Sequence, residues 1–160
     1  MNRSRSSLSS HRPPYIIIAG HSGSGKTHLV TRMVRVLMNS GMSIGCVKHC
    51  PSGFQFDREG SDSDLYTRAG AAQIAIAGDD TLVFINRTRK PELERVLTRF
   101  AGVDLVLVEG YSSARGTAVW VSRDGSIPRE REDGYFRHLH YPVSDDEVAS
   151  LCRAILAELP

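Results

Sequence analysis

The segment Gly20–Thr27 constrains the fold of this chain more than any other part. It reads Gly-His-Ser-Gly-Ser-Gly-Lys-Thr, the spacing of a phosphate-binding loop (P-loop), in which a glycine and four further residues precede Gly-Lys-Thr. The apolar residues 15–19 before it predict a buried strand, and the amphipathic residues 26–39 after it predict a helix. A strand that turns sharply into a helix leaves several backbone N–H groups unpaired and aimed the same way, which suits an anion. We therefore expect an α/β unit built around this turn.

The residue types within the P-loop indicate a site for nucleotide phosphates. Glycines allow the backbone to approach a phosphate closely because they have no Cβ. The Lys26 ammonium is expected to reach the β- and γ-phosphates, and the Thr27 hydroxyl to occupy one Mg²⁺ position. The remaining loop positions are expected to contribute mainly through their backbone: Gly20, His21, Ser22, Gly23, Ser24 and Gly25.

The rest of the chain alternates between predicted strands and helices, with one β-rich stretch in the middle. Strands are predicted at residues 15–19, 43–48, 72–77, 82–85, 103–108 and 117–121, and helices at 26–39, 61–68, 91–100 and 144–159. Gly78-Asp79-Asp80 has turn chemistry, which favours a hairpin there. The charged residues 123–142 predict an irregular excursion. This order indicates a three-layer α/β P-loop NTPase fold whose sheet is mainly parallel, with some antiparallel strands.

Composition limits the classes of protein to consider. Residues 1–14 predict a disordered Ser/Arg-rich tail, and residues 15–160 predict one nucleotide-binding domain. The chain has a formal net charge of +2, and the three arginines of the tail supply +3 of it, which leaves −1 on the rest. Because the excess positive charge belongs to the tail alone, we expect no nucleic-acid partner. No apolar run approaches the roughly 18 residues of a membrane span, and we expect no membrane association. Three cysteines without a secretory signal favour reduced thiols and a cytoplasmic location.

Glu109 is the candidate for a second residue, besides Thr27, that binds Mg²⁺. It ends the apolar run 103–108 and precedes a glycine. The carboxyl ends of parallel strands share one edge of the sheet, where α/β folds bind ligands, so Glu109 is expected beside the P-loop. Asp104 begins the same strand and is expected at the opposite edge. The sequence therefore favours Glu109 as the carboxylate that holds Mg²⁺ or its water.

Three blocks of the sequence resemble the molybdopterin-guanine dinucleotide biosynthesis protein B (MobB) family. The first is the P-loop, and the third is the run Asp-Leu-Val-Leu-Val-Glu-Gly-Tyr at residues 104–111. The middle block is the specific one, because its members recur in a fixed order and spacing. They are Gly45-Cys46-Val47-Lys48-His49, Phe56-Asp57, Gly60, Asp62-Ser63 and Ala69-Gly70-Ala71. The resemblance extends over residues 15–111 and is looser beyond them.

The resemblance implies a function and a set of partners. MobB proteins are known as GTP-binding P-loop proteins, typically homodimeric, that assist the guanylyltransferase which joins GMP to molybdopterin. It thus implies GTP and Mg²⁺ as cofactors, and the molybdenum cofactor guanylyltransferase, molybdopterin and a second copy as partners. The residues that match the family's site are Gly23, Gly25, Lys26 and Thr27 for phosphates and Mg²⁺, Asp57 and Glu109 near the metal, and Lys48 and His49 toward the nucleotide.

The chain departs from the family pattern at several basic positions. Histidines usual after Lys-His are replaced by Pro51 and Ser52. At two positions where the family usually has lysine, this chain has Ser61 and Ser112. Where the family usually has arginine, it has Leu65. These changes concern groups that contact phosphates or a partner more than they concern the P-loop itself.

Lys26 and Glu109 are the candidate catalytic residues for at most a slow GTPase. No water-positioning glutamine lies beside Glu109, and P-loop GTPases without an arginine finger turn over at roughly 10⁻⁴ to 10⁻³ s⁻¹. No guanine-reading Asn-Lys-x-Asp motif is present, so GTP over ATP rests on the resemblance. Two alternatives remain open. One is a small-molecule kinase or ATP-dependent ligase of the P-loop class, and the other is a GTP-dependent metallochaperone that uses His49 and Cys50.

Overall fold

The computed structural model describes residues 12–126 and 135–159. These residues fall into two units, which we call the sheet unit (residues 12–49 and the described residues from 92 onward) and the hairpin unit (residues 50–91). The strands are β1 (Tyr15–Ala19), β2 (Ile44–Lys48), β3 (Gln73–Ala77), β4 (Leu82–Asn86), β5 (Leu105–Glu109), β6 (Ala118–Ser122) and β7 (Arg137–His140). The helices are α1 (Lys26–Asn39), α2 (Asp62–Arg68), α3 (Leu93–Leu97) and α4 (Asp145–Glu158).

The sheet unit contains one parallel sheet with the strand order β2-β5-β1-β6-β7. The strand that leads into the P-loop, β1, lies at the centre, between β5 and β6. A central parallel strand is covered on both faces and must be apolar along its length. β1 and β5 satisfy this requirement, since each has four consecutive buried residues.

Helices cover both faces of this sheet. Ile16 and Ile18 pack on one face with residues of α1 and α4, whereas Ile17 and Ala19 pack on the other face with residues of α3. The alternation follows from the period of two along a strand. The arrangement is helix, sheet, helix, which confirms the predicted three-layer α/β fold.

The register of the sheet places several strand ends at one edge. Glu109, the last residue of β5, pairs with Ile18 of β1 and with Lys48, the last residue of β2. The P-loop follows β1 directly. The P-loop, Lys48 and Glu109 therefore meet at the carboxyl edge of the sheet. Asp104 lies at the amino end of β5, where its carboxylate accepts a hydrogen bond of 2.7 Å from the Ser43 N–H.

The hairpin unit is built from α2 and the antiparallel pair β3–β4. The pair runs from Gln73 opposite Asn86 to Ala77 opposite Leu82, and the turn is closed by a 2.7 Å bond from the Gly78 N–H to the Thr81 carbonyl. The predicted hairpin is thus confirmed. Helix α2 begins at Ser61, whose side chain caps it by accepting from the Asp64 N–H.

One element differs from the prediction. The sequence predicts an irregular excursion over residues 123–142, yet residues 137–140 form β7, which pairs in parallel with β6. Only Leu139 of this strand is buried, so β7 has no apolar run to indicate a strand. Backbone pairing with β6 therefore decides its conformation. Residues 127–134, which include Arg129 and Arg131, lie outside the described residues, as do residues 1–11 of the predicted tail.

Among the described helices, none combines the length and the apolar character needed to cross a membrane.

Candidate nucleotide-phosphate site

The backbone of the P-loop is packed so closely that two positions require glycine. Gly20 has φ +151° and Gly25, the residue before α1, has φ +98°. A Cβ on Gly20 would lie 2.3 Å from the Val121 carbonyl oxygen, and one on Gly25 would lie 2.2 Å from the Tyr141 ring. The loop therefore wraps against the ends of β6 and β7 with no space for side chains at these two positions.

Lys26 lies at the start of α1 and folds back over the loop. Its Nζ donates to the carbonyl of Gly20 at 3.0 Å and to the carbonyl of His21 at 2.6 Å. Burial lowers the pKa of Lys26 from its ordinary value of 10.5; the charge of Glu109 opposes this shift and the charge of Lys48 adds to it. The ammonium is thus held at the mouth of the loop, where a phosphate oxygen can replace a carbonyl as its acceptor.

Thr27, Glu109 and Lys48 form a contact cluster beside the loop. The Thr27 hydroxyl donates to Glu109 Oε1 at 2.8 Å, and Lys48 Nζ lies 3.5 Å from both Thr27 Oγ1 and Glu109 Oε1. The Glu109 side chain is only 12% exposed, whereas that of Lys48 is 59% exposed. A hydroxyl and a largely buried carboxylate are the oxygen ligands that Mg²⁺ prefers. The cluster brings together three of the residues that the sequence singled out.

Ser24 lies beneath the loop rather than at its surface. It is 3% exposed, and within the described structure its hydroxyl has no hydrogen-bond partner. Buried hydroxyl groups are normally paired, so such an atom needs an explanation. The other two non-glycine residues before Lys26, His21 and Ser22, are exposed, and the His21 ring lies edge-on to Trp120 at 5.3 Å.

His49 follows β2 and packs on the residues that follow β5. Its N–H donates to the Glu109 carbonyl at 2.9 Å, and its ring stacks on Tyr111 with 4.1 Å between the ring centroids. Gly110, between Glu109 and Tyr111, has φ +95°, and a Cβ there would lie 2.8 Å from His49 Cβ. His49 is therefore fixed beside Lys48 at the carboxyl edge of the sheet.

Asp57 belongs to the hairpin unit, and the metal role implied for it stays a prediction. Its carboxylate accepts from the hydroxyls of Ser61 and Ser63 and from the Arg58 N–H. These bonds, with that from Ser63 the largest cause, lower the pKa of Asp57 below 3.8. In the described structure its carboxylate thus organises the turn before α2.

Neither motif spacing, nor a predicted strand end, nor the family resemblance points to two further residues of the site, Arg123 and Tyr141. Arg123 follows β6, and its Nε donates to the Gly23 carbonyl of the P-loop at 2.7 Å. Its guanidinium lies over the Tyr141 ring at 4.3 Å, and that ring fills the space beside Gly25. Both residues fall in the segment predicted to be irregular. The pairing of β6 with β1 brings Arg123 to the loop, and the pairing of β7 with β6 brings Tyr141 there.

The described residues contain no group of three His, Cys, Asp or Glu side chains placed to hold a metal ion by themselves. Cys46 is exposed and Cys50 is partly exposed, while Cys152 is buried in α4. Burial raises the pKa of the Cys152 thiol to about 11.

Comparisons with known proteins agree with this architecture. The family model described as "Molybdopterin guanine dinucleotide synthesis protein B" (MobB) matches residues 15–134. The chain is 30% identical to the molybdopterin-guanine dinucleotide biosynthesis adapter protein of Escherichia coli over 82% of this chain and 78% of that protein. It is 35% identical to the Haemophilus influenzae protein of the same name, over 61% of this chain and 57% of the relative's length.

Solved structures give the same result at the level of the fold. A crystal structure of molybdopterin-guanine biosynthesis protein B matches with a TM-score of 0.63 and 30% identity, over 91% of this chain and 98% of the other. The crystal structure of Bacillus subtilis MobB matches with a TM-score of 0.64 and 25% identity, over 92% and 98%. Because the family model covers more than half of the sequence, including the P-loop and Glu109, this chain belongs to the molybdopterin guanine dinucleotide synthesis protein B family.

Proposed function

We propose that this chain binds a Mg²⁺–nucleoside triphosphate, GTP, at the P-loop and acts as an adapter in molybdopterin-guanine dinucleotide biosynthesis. The observation that carries the nucleotide part is the 2.8 Å hydrogen bond between Thr27 and Glu109. It joins the P-loop to the carboxylate at the end of β5, the two elements that P-loop proteins use together. The adapter part rests on the family and on the names of the relatives.

The residues present fit a chain of phosphates. The buried Ser24 hydroxyl, which has no partner among the described residues, supplies a polar group inside the loop. Glycine at positions 20 and 25 leaves the backbone there without a Cβ, which lets a phosphate approach its N–H groups. Lys26 would transfer its hydrogen bonds from loop carbonyls to the β- and γ-phosphate oxygens. A phosphate oxygen carries negative charge and a carbonyl oxygen does not, so the exchange adds attraction between opposite charges and favours the bound state.

Mg²⁺ would be held by Thr27 and Glu109, directly or through water, and it would neutralise charge on the phosphates. Lys48 places its ammonium beside these same two oxygens. A divalent cation bound by Thr27 and Glu109 would repel the Lys48 ammonium. Lys48 would then turn toward a phosphate or toward His49. Nucleotide binding is therefore expected to move the Lys48 side chain.

Hydrolysis by this site is proposed to be slow. Lys26 and Glu109 can position the phosphates and the metal, but neither is placed as a strong base for water. Turnover without an arginine finger is about 10⁻⁴ to 10⁻³ s⁻¹ in comparable P-loop proteins. A slow rate suits a protein that delivers or senses a nucleotide for a partner enzyme, here the molybdenum cofactor guanylyltransferase.

The hairpin unit supports assembly as a homodimer. One face of β3–β4 presents Ala75, Ala77, Leu82 and Phe84, which are exposed, Leu82 by 61% and Phe84 by 73%. Two-stranded hairpins are marginally stable in water unless further strands or a helix cover an apolar face. Pairing of this face with the same face of a second copy would bury those side chains.

The nucleotide proposal is tested by calorimetric titration of the protein with GTP, ATP and molybdopterin, each with Mg²⁺. We expect GTP to bind and Lys26→Ala to weaken it by about 10- to 100-fold, the range for loss of a charge-assisted hydrogen bond. Lys90→Ala is the matched control, because Lys90 is an exposed lysine of the hairpin unit. Equal GTP affinities of Lys26→Ala and the parent would refute the site, and much tighter ATP than GTP binding would favour the kinase or ligase alternative.

A further inference from the structure

Arg123 makes a contact to the P-loop that the nucleotide proposal does not use. Its Nε donates to the Gly23 carbonyl at 2.7 Å, although Arg123 is an exposed residue that follows the end of β6. Exposed arginine side chains are costly to hold in one geometry, because they lose much of their rotamer freedom. A short bond from such a residue to a loop carbonyl therefore needs a second support.

Tyr141 provides that support. The guanidinium carbon of Arg123 lies 4.3 Å from the centre of the Tyr141 ring, within the range of a cation–π interaction. The ring is itself fixed, since the Tyr141 N–H donates to the Ser122 carbonyl at 2.8 Å and its ring edge fills the space beside Gly25. Arg123 is thus held between the loop and a ring anchored at the end of β7.

The bond to Gly23 fixes the orientation of one peptide group in the loop. The carbonyl of Gly23 and the N–H of Ser24 belong to the same planar peptide unit and point in opposite directions. Arg123 holds the carbonyl, and the His21 carbonyl accepts from the Ser24 N–H at 3.2 Å. Gly23 has φ +74°, and a Cβ added to it would meet no atom of the described residues within 4 Å, so crowding by these residues does not hold the peptide. The bonds to Arg123 and to the His21 carbonyl therefore hold the two sides of this peptide, and of these two partners only Arg123 lies outside the loop.

We infer that Arg123, clamped on Tyr141, is a positioning residue that holds the P-loop in its phosphate-receiving conformation. The inference rests on the proposed function for its ligand, a chain of phosphates. Ordering the loop before binding removes part of the entropy that binding would otherwise cost. Arg123 acts through the loop backbone, so we expect it to change the affinity for the phosphates and not the affinity for the nucleoside.

Binding measurements distinguish an effect of Arg123 on the phosphates from an effect on the nucleoside. We expect Arg123→Ala to weaken the binding of Mg²⁺–GTP and of Mg²⁺–tripolyphosphate by the same factor. The factor is about tenfold, because loss of a hydrogen bond from a charged group lowers the fraction of free protein in which the loop is already ordered. Arg123→Lys should recover part of the loss, because lysine keeps one donor and the charge but not the planar stack on Tyr141. Arg115→Ala, at another exposed arginine of the sheet unit, should leave both affinities unchanged.

Amide hydrogen exchange of residues 21–25, without any ligand, supplies a readout independent of nucleotide binding. We expect faster exchange in Arg123→Ala and intermediate exchange in Arg123→Lys, with unchanged thermal midpoints for both. Exchange as slow as in the parent protein overturns the inference, and so does weaker binding of GTP with unchanged tripolyphosphate affinity. If the parent binds neither ligand, the proposed function fails, while the exchange experiment still decides whether Arg123 orders the loop.

Discussion

Lys26 and the cluster of Thr27, Glu109 and Lys48 show how single residues set the chemistry of the site. Glu109 is mostly buried and accepts from the Thr27 hydroxyl, with the Lys48 ammonium 3.5 Å away. The pKa of Lys26 is influenced by the charges of both Glu109 and Lys48. Removing the charge of Glu109 or of Lys48 therefore also changes the proton affinity of Lys26.

The depressed pKa of Lys26 predicts how nucleotide affinity varies with pH. Burial lowers the pKa of this ammonium below 10.5, so it loses its proton at a lower pH than an exposed lysine does. Phosphates favour the charged form, and binding then requires proton uptake as the pH rises. Affinity for Mg²⁺–GTP, measured by calorimetry from neutral pH upward, is expected to fall before the pH reaches 10.5. Lys26→Arg should delay the fall, because guanidinium stays protonated; a flat profile for the parent protein would contradict the assignment.

The surroundings of Gly25 predict a loss of stability when this residue is substituted. In Gly25→Ala the alanine would have to adopt φ +98°, and its Cβ would lie 2.2 Å from the Tyr141 ring. Gly102→Ala is the control, because Gly102 has φ +72° and a Cβ there would meet none of the described residues within 4 Å. Backbone strain alone costs about 1–3 kcal/mol. Denaturant unfolding should therefore show the larger loss for Gly25→Ala, and equal losses would mean that Tyr141 yields freely.

At the level of elements, β5 and α4 were both well defined by the sequence, for different physical reasons. The first four residues of β5 are apolar, because the strand lies between two other strands and two helical layers. Helix α4 begins at a capping box, in which Ser144 accepts from the Glu147 N–H and Glu147 accepts from the Ser144 N–H. Short-range chemistry of this kind is visible in sequence because all of its partners lie within one helical turn.

The capping box predicts a measurable contribution to stability. Ser144→Ala should lower the free energy of unfolding by about 1 kcal/mol at neutral pH. The bonds from Ser144 lower the pKa of Glu147 below 4.5, so their stabilisation is present above that value and is lost as the pH falls through the depressed pKa. The difference between parent and variant should shrink in acid. Ser150→Ala, within the same helix, should be neutral or slightly stabilising, because alanine has the higher helix propensity.

At the level of the whole molecule, the sheet unit has two buried clusters, whereas β3–β4 of the hairpin unit has an exposed apolar face. The sheet unit carries the P-loop, Lys48, His49 and Glu109. The hairpin unit carries Asp57 and the exposed Phe84. This division suggests that nucleotide binding and assembly can be disrupted separately.

The exposed hairpin face predicts the effect of one substitution on oligomeric state. Phe84→Ser should shift a homodimer toward monomer in sedimentation or light scattering, because a large apolar side chain leaves the proposed interface. Phe54→Ser is the matched control, since Phe54 is equally exposed at 73% and lies outside β3–β4. A parent protein that is monomeric at all concentrations, or equal effects of both substitutions, would contradict this use of the hairpin.

The sequence by itself determined the strand–loop–helix of the P-loop, the hairpin, the apolar β5 and the position of Glu109 at the edge of the sheet. These features depend on residues close together in the chain or on burial, which leaves an apolar pattern. Only the tertiary structure decided that residues 137–140 form a strand, since its pairing with β6 is made by backbone atoms that every sequence has. The contact of Arg123 with Gly23 likewise joins residues 100 positions apart, and no local pattern encodes such a distance.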